Sequence, residues 1–133
     1  MRTLGWPFEF RAQPWPSIAS HLHGALDGSA AGRTVLDIVD SIIATGAEAL
    51  LAGTTSMFDV VVTPKPVTPA PVDVVVVRQT YGTVTIEHLT HTGRNDRIQQ
   101  PAHEGVALFW QFMIEKFGVH PTPTGAPPDG RPS

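Results

Sequence analysis

Residues 72–78 read Val-Asp-Val-Val-Val-Val-Arg, and this run constrains the chain more than any other segment. β-Branched side chains favour an extended, pleated backbone. Alternation puts Val72, Val74 and Val76 on one face and Val75 and Val77 on the other. A strand apolar on both faces belongs in the middle of a sheet, with cover on both sides. The rest of the chain must therefore supply flanking strands and two covering surfaces.

Flanking strands are legible. Phe58, Val60 and Val62 alternate ahead of the run, and Thr83–Leu89 alternates after it. Thr80-Tyr81-Gly82 makes a tight connection between the valine run and residues 83–89. With Thr80 and Tyr81 as the turn, Val77 faces Val84, Val75 faces Ile86 and Asp73 faces His88. Moving the turn by one residue puts Val75 opposite His88, with Asp73 and His88 still on the same face. Gly93–Asp96 predicts a further turn, returning a short strand through Arg97 to Gln99.

Three helices supply cover. One runs over roughly residues 16–27, with Pro16 at its first position, Gly28 as its stop and a narrow stripe of Ile18, Leu22, Ala25 and Leu26. In the next, Thr34 is the expected cap, with Asp37 as the carboxylate of a capping box. Its spacing of Val35, Ile38, Val39, Ile42, Ala49 and Leu50 carries the prediction on to a stop at Gly53, across a weakening Gly46. A third helix is opened by Pro101 and ended by Gly118, and its Val106, Phe109, Trp110, Phe112, Met113, Ile114 and Phe117 exceed a single stripe. The expected class is α+β in two layers: an antiparallel meander of three to four strands, two N-terminal helices and one C-terminal helix.

Proline is concentrated rather than spread. Four of the 13 prolines lie in residues 64–71 and five in residues 121–133. The first group predicts an extended loop between two strands, because proline fixes φ and lacks an N–H. The second has little to bury, so the 133 residues are expected to form one domain over 1–120 and a disordered Pro/Gly-rich tail. Trp6, Phe8 and Phe10 alternate near the start and are read as packing residues.

Charge and composition exclude several function classes. Charged residues make up 16% and the net charge is -3, with no basic stripe, which argues against nucleic-acid binding. No cysteine is present, so disulfides, thiolate catalysis and thiolate-held metals are excluded, and a reducing compartment fits. The apolar stretch 35–52 carries Asp37, Asp40 and Glu48, so no membrane span is expected. Residues 1–7 lack the apolar run of a secretory signal, and a cytoplasmic protein is the expectation.

Few residues carry chemistry. Asp73 beside His88 is the pattern of a general base with its orienting carboxylate, and these two are the expected catalytic residues. His91, Arg94, Asn95, Asp96 and Arg97 form the most polar stretch, and two guanidiniums there suit a phosphate or carboxylate ligand. No metal and no cofactor is expected. His88 and His91 diverge on a strand, His21 and His23 diverge on a helix, and His103–Glu104 needs only the helix dipole to explain its glutamate. No phosphate-binding glycine loop or nucleophile elbow occurs.

A helix followed by successive antiparallel strands, over roughly residues 6–100, is similar to the hotdog fold of acyl-thioester enzymes. That resemblance implies a fold and a reaction class, and carries no catalytic residue across. The leading expectation is a non-catalytic protein-interaction or accessory binding module. The competing one is a small enzyme or small-molecule binder using His88, Asp73 and the 94–97 loop. The apolar excess of the last helix and of the valine run predicts a homodimer or a protein partner.

Overall fold

A computed structural model of the chain describes residues 10–26, 32–56, 59–69, 72–80, 82–90 and 96–121. Trp6, Phe8, Gly28, Phe58, Tyr81, His91, Arg94, Asn95 and the expected tail after residue 121 lie outside them. Helices α1 (Trp15–Leu26) and α2 (Arg33–Ala44) come first. Strands β1 (Leu51–Ser56), β2 (Asp59–Pro64), β3 (Val74–Thr80), β4 (Thr83–Leu89) and β5 (Asp96–Pro101) follow. Helix α3 (Gly105–Phe112) continues as a π-helical turn over Met113–Phe117. The sheet is an antiparallel meander in chain order, β1-β2-β3-β4-β5.

The valine run sits at the centre, as its two apolar faces require. On one side of the sheet Val60, Val62, Val75, Val77, Val84 and Ile86 pack with Ile18, Leu22, Ile38, Val39, Ile42, Phe109 and Met113 of the helices. On the other, Val61, Val72, Val74 and Val76 are buried with Ala52 and Phe10. Both faces of β3 are thus covered within one chain. The residues that raised the expectation of a second chain are largely absorbed internally, and the homodimer draws no support from them.

Five strands form where three to four were expected, because β1 occupies what was read as the end of the second helix. Helix α2 stops at Ala44, and Gly46 then takes φ 76°, a left-handed conformation that costs glycine little. After a 3-10 turn at Ala47–Ala49, Leu51–Ser56 runs as an edge strand beside β2. Gly53 is therefore a strand residue, and it lies under the Trp15 ring, where a Cβ would collide with the indole.

The expected cap also needs correction. Thr34 lies inside α2, not before it, and its hydroxyl donates to the Ala102 carbonyl at 2.9 Å. The free N–H groups of Thr34 and Val35 donate instead to Oε1 of Gln79 on β3, at 2.8 and 3.3 Å. Asp37 pairs with Arg33 one turn away, at 3.2 Å.

The β3–β4 hairpin adopts the shifted register. Thr80 pairs with Thr83 and Val75 with His88, leaving a two-residue turn in which Gly82 takes φ 71°. Asp73 does not face His88 directly. It precedes β3, two residues before His88's partner.

Candidate functional site

Alternation along β4 sends Val84, Ile86 and His88 to the helix-covered face. Val84 and Ile86 join the core. His88, nearer the strand's end, meets the last turn of the C-terminal helix instead. Its ring stands edge-on to Phe117, with centroids 5.4 Å apart and planes at 85°. The residue is 9% exposed, and its Nε2 is buried with no hydrogen-bond partner among the described residues. Such an atom is rare in a folded protein, because an unmet buried polar group costs about 1–3 kcal/mol.

Other parts of His88 border a cavity of about 450 Å³, while Nε2 itself is sealed from it. One wall is the end of β2 at Pro64 and the loop after it, with Pro66, Thr68 and Pro69. Asp73 and His88 form the floor's polar part, and Lys116 and Phe117 close the side nearest the helix. The Lys65–Pro66 peptide is cis. The Thr63 hydroxyl donates to the Asp73 carbonyl at 2.8 Å and ties the loop's far end to β2.

Charge around the imidazole is mixed. Burial pushes the His88 pKa below the ordinary imidazole value, and the Lys116 ammonium pushes it further down. Asp73 and Asp96 act in the opposite direction and do not prevail. Lys116 Nζ is bonded to the Asp96 carboxylate, which holds that carboxyl below its usual range. The same ammonium lies 5.7 Å from the centre of the Phe112 ring. The imidazole is thus neutral near pH 7, and the Lys116 ammonium beside it is already paired.

The expected site residues divide into three groups. His88 and Asp73 line one cavity. Asp96 pairs with His88 across the β4–β5 ladder and reaches the cavity's rim through Lys116. Arg97 pairs with Glu87 and so belongs to the opposite face of the sheet. An anion clamp that joins Arg97 to His88 is therefore not assembled. His91, Arg94 and Asn95 lie outside the described residues.

Lys116, Phe117 and the proline loop were not anticipated as site residues. Lys116 and Phe117 come from the far end of the chain, and only the stop at Gly118, with φ 67°, marks where that helix ends. Two other described histidines pair elsewhere. His23 Nε2 lies 3.2 Å from both Asp40 oxygens, bridging α1 to α2, and His103 lies 3.6 Å from Glu104 on the surface. Among the described residues no group of three or more His, Asp or Glu is placed to hold a metal ion. No described helix is long and apolar enough to cross a membrane.

A second, shallower concavity of about 320 Å³ lies beside Trp15, Pro14 and Leu51. Its indole N–H is already bonded to the Leu51 carbonyl at 2.8 Å.

No family model matches the chain, and no curated protein or solved structure is significantly similar to it, so the likeness to the hotdog fold gains nothing from comparison and the site must be read from its own residues.

Proposed function

We propose that the protein is a small-molecule-binding domain whose site is the cavity at His88. One observation carries this reading: a cavity of about 450 Å³ is lined by His88, a histidine whose buried Nε2 has no partner among the described residues. Ligand pockets of proteins fall in the range of about 300–1,000 Å³, mostly apolar with a few placed polar groups. Proline rings and Phe117 provide the apolar wall here, and Thr63, Thr68, Asp73, His88 and Lys116 the polar groups.

This reading takes the competing expectation, a small-molecule binder using His88 and Asp73, over the leading one of a protein-interaction module. Large apolar side chains exposed among the described residues are Leu50, Val67 and Ile114, on three separate elements. They form no broad docking patch of the kind a protein partner favours. The absence of cysteine suits a reducing, cytoplasmic setting.

A fragment screen by NMR on the full chain tests the reading, with the His88 ring Cε1–H and the Phe117 ring protons as reporters. Fragments that bind are expected to shift both. A screen in which binders shift other residues and leave these two unmoved overturns it.

A further inference from the structure

We infer that the turn Met113–Phe117 is an acid-operated latch: when His88 takes up a proton, the turn lifts from the sheet and opens the cavity wall that Lys116 and Phe117 form. The latch requires no ligand in the cavity.

A neutral ring suits the place His88 occupies, and a charged one does not. Nε2 is sealed from solvent and meets no hydrogen-bond partner among the described residues. A charged imidazole donates at both nitrogens, so whichever tautomer precedes it, Nε2 becomes a buried charged donor with nothing to accept from it. Burying an unpaired charge costs far more than burying an unpaired neutral group. Lys116 sets a second cation near the ring, from the turn itself. Asp73, just before β3, and Asp96, on β5, also face the ring and favour its charged form, but burial and Lys116 outweigh them. Asp96 is bonded to Lys116.

Of the two sides of the ring, the turn is the one that yields. The His88 backbone is paired with Val75 on one side and Asp96 on the other, so it moves only if two ladders break. The turn is held more lightly. Its end is closed by two hydrogen bonds, from the Gly118 N–H to the Ile114 carbonyl and from the Val119 N–H to the Met113 carbonyl, both 3.1 Å. Met113 is its one buried residue, and Phe117, which stands edge-on to His88, is half-buried. Lightly held ends open at a much smaller cost than the whole domain. π-Helical turns also recur at functional sites. Lifting this one takes Lys116 and Phe117 from the ring together and lets water in from the cavity.

The sign of the response follows. With the turn closed, the ring holds its proton less readily than an ordinary imidazole; with the turn lifted, it is solvated and ordinary. Opening takes up no proton above about pH 6.5 and takes one up below it. The open fraction therefore rises by up to about tenfold for each pH unit between the ordinary value and that of the closed state.

Hydrogen exchange on the full chain without ligand tests the latch, read by NMR as protection factors of the Gly118 and Val119 amides at about pH 7.5 and about pH 5.5. Both amides are expected to be less protected than those of β3 and β4, and to lose about threefold to tenfold more protection at the lower pH. His88→Phe keeps a ring against Phe117, cannot take up a proton and leaves the exposed His120 in place, so its protection factors should not fall. Protection that is unchanged with pH in the unaltered chain overturns the latch. So does a loss that persists in His88→Phe, or a protection at Gly118 and Val119 equal to that of the strands, which would mean that the turn opens only with the whole domain. Should the variant fail to fold, the unaltered chain decides. Its loss of protection must begin near pH 6.5 and level off at the His88 midpoint read from the ring nitrogens of the same sample, and levelling elsewhere contradicts the latch.

Discussion

Two indoles and one imidazole are buried on the same side of this sheet, and only the indoles are satisfied. Trp15 donates to the Leu51 carbonyl at 2.8 Å, and Trp110 donates to the Ser41 hydroxyl at 3.0 Å. His88, buried to a similar degree, has a ring nitrogen with no such partner. Beneath the Trp15 ring the packing is tight, since Gly53 leaves no room for a Cβ, and the smaller concavity of about 320 Å³ lies beside it. The His88 region is open, with a cavity on one side and a neutral ring held edge-on to Phe117. Both regions border a concavity; in one the ring nitrogen is bonded, and in the other it has no partner among the described residues. That contrast separates structure from function here better than burial alone.

The largest effect should come from breaking the Trp15 region. Trp15→Ala removes an almost fully buried indole and strands the Leu51 carbonyl, and should destabilise the domain by about 3–5 kcal/mol in urea unfolding. Gly53→Ala adds a methyl where the Trp15 ring already sits. Overpacking of this kind should cost about 1–3 kcal/mol, read from the same denaturation curves. A neutral result at Gly53 would mean that the ring moves aside easily and that this region is no better packed than the other.

The smallest effect should come from the open region. His88→Phe keeps a planar ring, removes the orphan nitrogen and has the cavity to expand into. It should change stability by less than about 1 kcal/mol near pH 7, or raise it slightly, since nothing is left unpaired. A loss well beyond that would show that Nε2 has a partner and that the two regions are alike.

How much of this was legible in the sequence depended on how local the cause was. The two-faced valine run dictated a covered central strand, because alternation and burial act within seven residues. Gly118 marked a helix end for the same reason. The first strand was hidden because Ala49 and Leu50 extend an apolar helical spacing past Gly46, which takes a positive φ just after that helix. The cap on α2 was hidden because Gln79, which provides it, lies 45 residues along the chain from Thr34. Asp73 and His88 were legible as sharing a face in either hairpin register. The rest of their cavity was not, because its loop lies outside the hairpin and its Lys116 and Phe117 arrive from the other end of the chain.

The proton affinity of His88 tests the central contrast most directly. A ring whose folded pKa is below its unfolded value binds fewer protons folded than unfolded through that window. Stability is then full above the ordinary imidazole range and falls as pH drops below about 6.5, until His88 itself takes up a proton. A pH titration of the histidine ring nitrogens by 15N NMR reads this group by group. The account predicts that His88 titrates below the ordinary value and that His88→Phe flattens the loss of stability across the same window. A His88 midpoint at or above about 6.5 would contradict it, because the ring would then be charged or solvated where a neutral, buried acceptor is required.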